Sequence, residues 1–236
     1  MKMKKSQLKH ISYLLFLLIV AGDLWSLFTP WQSYEYWFKP LIMIWVLVYF
    51  AWQSKGIRHV IKQPLFFAFV FSWGGDVALL FQQKNELFFL LGLGSFLIAQ
   101  ISYVVAFTFS VRGHAKAGFI KRQPWWVLLI IMYGGLLYAL LFENLDSTLK
   151  IAVFIYAASL VVMGLAALNR RGCVPASSFW FVMCGGVLFI LSDSVIAINK
   201  FLLPFEGANI LIMSTYILAQ YLIMQGGLRQ VLQANR

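Results

Sequence analysis

A chain of 236 residues that is 61% hydrophobic and 11% charged, with a mean hydropathy of +0.81, is matched to lipid, because soluble domains carry about 25% charged residues. That balance excludes an ordinary soluble domain, and the length suits one helical bundle, since each span takes roughly 20 apolar residues. The net charge of +11 would suit a nucleic acid, but the basic residues sit in short loops between apolar runs, so no nucleic-acid partner is expected.

In chain order, Met1–His10 is basic and leads into an apolar run. That run contains Asp23 and has no small-residue cleavage site, so it reads as a retained first helix rather than a signal peptide. With it, eight transmembrane spans are expected, over residues 11–29, 38–53, 64–82, 87–110, 125–142, 149–168, 177–199 and 208–228. The expected fold is therefore all-α, a polytopic membrane helical bundle forming a single transmembrane domain over residues 1–236. Pro30, Pro64 and Pro124 fall near span ends, where a missing N–H costs least, and Gly226-Gly227 loosens the end of the last span.

Charge placement orients the spans. With a cytoplasmic N-terminus, the inner side holds Lys2, Lys4, Lys5, Lys9, Lys55, Arg58, Lys62 and Arg112. It also holds Lys116, Lys121, Arg122, Arg170, Arg171, Arg229 and Arg236, which makes 15 of the 19 basic residues. Only Lys39, Lys84, Lys150 and Lys200 lie outside. This asymmetry places both termini in the cytoplasm and requires an even number of spans.

The acids complete the pattern. Glu35, Glu86, Glu143, Asp146 and Glu206 fall in outer loops, whereas Asp23, Asp76 and Asp193 lie inside spans one, three and seven. Each of these three precedes its span end by about six residues, or roughly 9 Å, so one depth in the outer half of the membrane is expected for all three. An intramembrane carboxylate costs at least about 2.5–3.5 kcal/mol on insertion scales, so it faces the bundle interior and has a role.

The two halves of the chain share a pattern. Lys39 opens span two and Lys150 span six; Asp76 lies in span three and Asp193 in span seven. Phe96-Leu97-Ile98-Ala99-Gln100 in span four matches Tyr216-Ile217-Leu218-Ala219-Gln220 in span eight. A 4+4 parallel internal repeat would set Asp76 and Asp193 across a pseudo-twofold axis. Helical spacing adds Ser72, one turn before Asp76, and Lys200, two turns after Asp193. Tyr216 and Gln220 share a face of span eight, and Lys39 sits at the outer end of span two. Interfacial anchoring is the alternative role for the lysines, and helix–helix hydrogen bonding the alternative for Tyr216 and Gln220. Asp23 has no such motif around it.

Several chemistries are absent from the pattern. There is no Gly-x-Ser-x-Gly elbow and no phosphate-binding Gly-x-x-x-x-Gly-Lys loop. His10, His59 and His114 all fall outside the spans, on the cytoplasmic side. Cys173 and Cys184 have no metal-site spacing, and no structural disulfide is expected from them. Carboxylate chemistry remains, with no metal.

The order and spacing of Lys39-Pro40-Leu41, Ser72-Trp73-Gly74-Gly75-Asp76 and Gly94-Ser95-Phe96-Leu97-Ile98-Ala99 carry a resemblance. So do Gly186-Val187-Leu188-Phe189-Ile190-Leu191-Ser192-Asp193 and Thr215-Tyr216-Ile217-Leu218-Ala219-Gln220. Over nearly its whole length the chain resembles the YhhN/lysoplasmalogenase family of eight-helix membrane proteins. One departure is Gln100, where members often carry His, so an acid–base role at that position is in doubt. Asp23 is not part of the motif set.

The resemblance implies hydrolysis of the vinyl-ether bond of lysoplasmalogens, with two intramembrane aspartates as catalytic residues. A fatty aldehyde and a glycerophospho-alcohol (glycerophosphocholine or glycerophosphoethanolamine) would be released. The reaction needs a proton on the alkenyl β-carbon and water on the resulting oxocarbenium ion. Asp76 and Asp193 can divide these tasks as one coupled pair. Ser72, Ser192 and Tyr216 would orient them or the water, with Gln220 and Asp23 as further candidates, and Lys39 or Lys200 would meet the phosphate. No cofactor is required. The implied partners are a lysophospholipid substrate and membrane lipid, and the expected location is a bacterial inner membrane. A proton-coupled transporter or lipid translocase could use the same aspartates. An intramembrane aspartyl protease fits less well, because Trp73 stands where its motif has glycine.

Overall fold

The computed structural model describes residues 5–27, 35–112 and 118–233. Lys2, Lys4, Pro30, His114, Lys116, Arg236 and the last residues of the first expected span lie outside the described residues. The described chain is all helical: α1 (Lys5–Ser26), α2 (Glu35–Gln53), α3 (Lys62–Leu80), α4 (Glu86–Val111) and α5 (Phe119–Arg122). There follow α6 (Trp125–Phe142), α7 (Ser147–Asn169), α8 (Ala176–Phe201) and α9 (Ala208–Gln233).

Seven of these, all but α2 and α5, are long and apolar enough to cross a membrane, so the chain is a multi-pass membrane protein. The helix α2 occupies the second expected span. It has 19 residues, but Lys39, Pro40 and Gln53 dilute its apolar run. Its inner face compensates: Ile42, Met43, Val46 and Phe50 are fully buried against the neighbouring helices. The one-turn helix α5 was not expected from the sequence, because four residues carry no readable period. Tertiary contacts hold it. Phe119 packs with Leu168 and Phe179, and the Ile120 N–H donates to Asn169 Oδ1 at 3.1 Å.

The most enclosed helix is α9, which packs on α1, α2, α3 and α8, whereas α6 buries only Gly134 and Leu141. Leu14, Leu17 and Leu18 of α1, Leu128 and Leu136 of α6 and Ile151 of α7 face outward, as lipid-exposed surface requires. Lipid gives helices no hydrophobic reason to associate, so close approach by small residues matters more than in water. The two most intimate pairs, α3 with α4 and α8 with α9, both rest on glycine. A Cβ on Gly75 would come within 2.5 Å of the Phe96 ring, and one on Gly185 within 2.8 Å of the Ala219 carbonyl oxygen. Gly207, at φ 81°, turns the chain from α8 into α9.

Arg170, expected simply as a loop charge, is instead 1% exposed. It follows the last residue of α7, and its side chain reaches back beneath the bundle. Its Nη2 donates to Ser178 Oγ at 2.8 Å and Gln230 Oε1 at 2.9 Å, with the guanidinium over Phe107. This polar knot joins α7, α8 and α9 at the end of the bundle away from the aspartates.

Candidate functional site

Helices α3, α8 and α1 place the three aspartates, and all three side chains are buried, at 2%, 7% and 0% exposure for Asp76, Asp193 and Asp23. Their offsets from the helix ends are not uniform. The helix α3 stops at Leu80, but α8 continues to Phe201, so Asp193 lies a full turn further from its helix end than Asp76 does. Asp76 nevertheless stays within electrostatic reach of Lys39, Asp23 and Asp193.

Each aspartate has different company. Tyr216 of α9 donates its hydroxyl to Asp76 Oδ2 at 2.8 Å. Asp193 Oδ2 accepts from Tyr156 Oη at 2.6 Å and from Gln100 Nε2 at 3.3 Å. Both donors of Asp193 were missed as site residues. In the sequence Gln100 stands only as a repeat position and as a motif position lacking its histidine, and Tyr156 is one of several hydroxyls, with Ser147, Thr148 and Ser159, in the apolar helix α7. Among the described residues Asp23 has no hydrogen-bond partner on either carboxylate oxygen.

The other expected residues divide. Gln220 accepts from Tyr103 Oη at 2.5 Å, one turn along α9 from Tyr216, and links α9 to α4. Ser72 is fully buried beside Tyr103. Ser192 points away from the pair, donating to the Ile212 carbonyl of α9 at 3.1 Å. Lys39 Nζ lies 3.3 Å from Glu35 Oε1, and Lys200 Nζ sits 5.0 Å above the Phe89 ring. Among the described residues no group of three or more His, Cys, Asp or Glu side chains is placed to hold a metal ion.

Two cavities adjoin beside Asp193. One, of about 60 Å³, is apolar except for Asp193, Tyr138 and Tyr156, and is walled by Phe96, Leu141, Ala157 and Phe201. The other, of about 470 Å³, is a polar vestibule lined by Glu35, Lys39, Gln82, Asn199, Lys200 and Asn209. Leu79, Phe89 and Ile196 belong to both walls. A carboxylate thus stands in an apolar chamber whose neighbour carries two ammonium groups.

Residues 34–227 match the model of the YhhN family. The chain belongs to that family. The matched stretch takes in Lys39, Asp76, Asp193, Tyr216 and Gln220, and leaves out Asp23. The chain is 31% identical over 187 residues to a protein of Bos taurus named lysoplasmalogenase TMEM86A, covering 78% of this chain and 73% of that one. It is 31% identical over 199 residues to a Homo sapiens protein named lysoplasmalogenase TMEM86B, covering 82% of this chain and 76% of the relative. No solved structure matches it.

Proposed function

We propose that this YhhN protein is a membrane hydrolase of lysoplasmalogen-type lysophospholipids. The observation that carries the reading is the pairing of cavities. The apolar Asp193 chamber suits the vinyl-ether end of an alkenyl chain, and the adjoining vestibule with Lys39 and Lys200 suits a phosphate headgroup. The names of the relatives support the same substrate.

The chemistry follows from the residues. One carboxyl of the Asp76–Asp193 pair delivers a proton to the alkenyl β-carbon, and the double-bond electrons form the new C–H bond. The α-carbon becomes an oxocarbenium ion, facing a carboxylate that stabilises it. Water attacks that carbon and gives up a proton to a carboxylate. The glycerol oxygen then takes a proton from the carboxyl as the hemiacetal hydroxyl gives one up, and the carbon–oxygen bond breaks, releasing a fatty aldehyde and glycerophosphocholine or glycerophosphoethanolamine. Tyr156 and Gln100 both bond Oδ2 of Asp193, which leaves Oδ1 for substrate or water.

The same reading takes α2 as the eighth span and both termini as cytoplasmic, in a bacterial inner membrane. It takes the α3–α4 and α8–α9 pairs as corresponding parts of a 4+4 repeat. The test is aldehyde release from lysoplasmalogen by purified protein. Asp76→Asn and Asp193→Asn are each expected to lower the rate by about 10²–10⁴-fold, the usual worth of a positioned acid or base. Full activity in either variant would overturn the paired mechanism. Cleavage of another lysolipid instead would keep the site and change the substrate, and lipid or proton movement in proteoliposomes without product would assign transport.

A further inference from the structure

The vestibule carries an ion pair and an unmatched cation. Glu35 and Lys39 stand one turn apart at the start of α2, with Lys39 Nζ 3.3 Å from Glu35 Oε1 and side chains 27% and 12% exposed. Lys200 enters from the α8 wall, and no acid is paired with it among the described residues. It lies about 10 Å beyond Asp193 along the α8 axis, seven residues at 1.5 Å each. A lipid whose linkage lies at Asp193 would therefore bring its phosphate toward Lys200. Glu35 is then the anionic group of the vestibule left to meet whatever lies beyond the phosphate.

We propose that Glu35 is the residue that reads the headgroup, and that it selects a primary ammonium of the ethanolamine type. This rests on the lysophospholipid reading above. The headgroup ammonium takes the place of the Lys39 ammonium on Glu35, and Lys39 moves to the phosphate beside Lys200. No covalent bond changes. The exchange replaces one N–H donor on the carboxylate by another, so the partly buried Glu35 keeps a charge-assisted hydrogen bond throughout.

A quaternary ammonium has no N–H to offer Glu35 and is recognised by open aromatic faces instead. The vestibule offers two aromatic rings, Tyr36 and Phe89, too few to cage a quaternary ammonium. Tyr36 packs on Phe81 with ring centroids 5.6 Å apart, and the Phe89 face is covered by Lys200. A glycerol headgroup offers no cation at all, so it leaves Glu35 beside the phosphate with nothing to gain.

The experiment is equilibrium binding of lysophospholipids with a saturated alkyl ether at sn-1, which contain no vinyl ether to cleave. Three are compared, with ethanolamine, choline and glycerol headgroups. The wild-type protein is expected to bind the ethanolamine lipid about tenfold more tightly than either other, the worth of one hydrogen bond to a charged group. Glu35→Gln is expected to bind all three alike, and Glu35→Asp to keep the order. Equal wild-type affinities, no binding of any of the three, or an unchanged preference in Glu35→Gln would overturn the proposal. Because these lipids are not substrates, the outcome does not depend on aldehyde release, whose absence would overturn only the hydrolase reading.

Discussion

Asp76 and Asp193 share a motif style, yet their surroundings differ. Asp193 holds two side-chain donors, Tyr156 and Gln100, and forms part of a cavity wall. Asp76 holds one, Tyr216, and is packed behind a glycine that lets the Phe96 ring close over α3. One carboxylate is thus fixed and open to an apolar chamber, and the other is fixed and closed off. A site that must hold an apolar chain against a carboxylate needs the first arrangement. A group that holds charge or moves a proton behind it can use the second.

The largest test of that difference is a split in kinetics between the two asparagine variants. Loss of about 10²–10⁴-fold in kcat is expected from each, but only Asp193→Asn is expected to change KM as well, since only Asp193 lines the chamber. Steady-state kinetics on a lysoplasmalogen series decides it. A KM change confined to Asp76→Asn would reverse the assignment.

Next come the donors. Tyr156→Phe removes the 2.6 Å bond to Asp193 and is expected to lower kcat by about 10–100-fold, the worth of a hydrogen bond to a charged group. Tyr216→Phe removes the bond that holds Asp76 and is expected to cost less, about tenfold, because Asp76 does not face the chain. Comparing single-turnover rates of the two variants ranks the carboxylates directly. A larger loss in Tyr216→Phe would place Asp76 at the reacting bond.

A third variant leaves both carboxylates intact and narrows the chamber. Ala157→Phe projects a ring into the wall beside Tyr156. Displacing two methylenes of a bound chain is expected to raise KM about tenfold for long-chain substrates, at about 0.8 kcal/mol per methylene. Short chains are expected to be unaffected. Equal KM values across chain lengths would show that the alkenyl chain lies elsewhere.

Much of this was legible in the sequence, for a definable reason. Spans are long apolar runs, and an acid inside one is conspicuous, so Asp23, Asp76 and Asp193 were visible before any fold. The motifs around Asp76 and Asp193 carried the resemblance that the family match then supplied. What stayed hidden depended on contacts across the bundle. Tyr156 is one of many aromatics in apolar helices, and nothing local ties it to a residue 37 positions away. Gln100 was seen as a missing histidine, although its amide reaches Asp193 from α4. Arg170 looked like any loop charge, because burial of a guanidinium under three helix ends leaves no periodic trace. The helix ends also misled: a common offset was read from hydropathy, whereas α8 runs on past Asp193 into the polar vestibule.

The smallest effect separates packing from chemistry on α8 itself. Ser192 is adjacent to Asp193 in sequence, and adjacency made it an orienting candidate. On a helix, however, neighbouring residues point about 100° apart, so consecutive side chains do not share a face. Ser192 accordingly meets α9, where its hydroxyl bonds the Ile212 carbonyl. Ser192→Ala is therefore expected to cost about 0.6 kcal/mol of stability, the average for an interhelical hydrogen bond in a membrane. Its kcat is expected to stay within about twofold of wild type, a barrier change of well under 1.4 kcal/mol. Thermal unfolding in detergent and the aldehyde assay measure the two quantities on one preparation. A large kcat loss with stability unchanged would return the hydroxyl to the reacting pair, and would mean that α8 rotates when lipid binds.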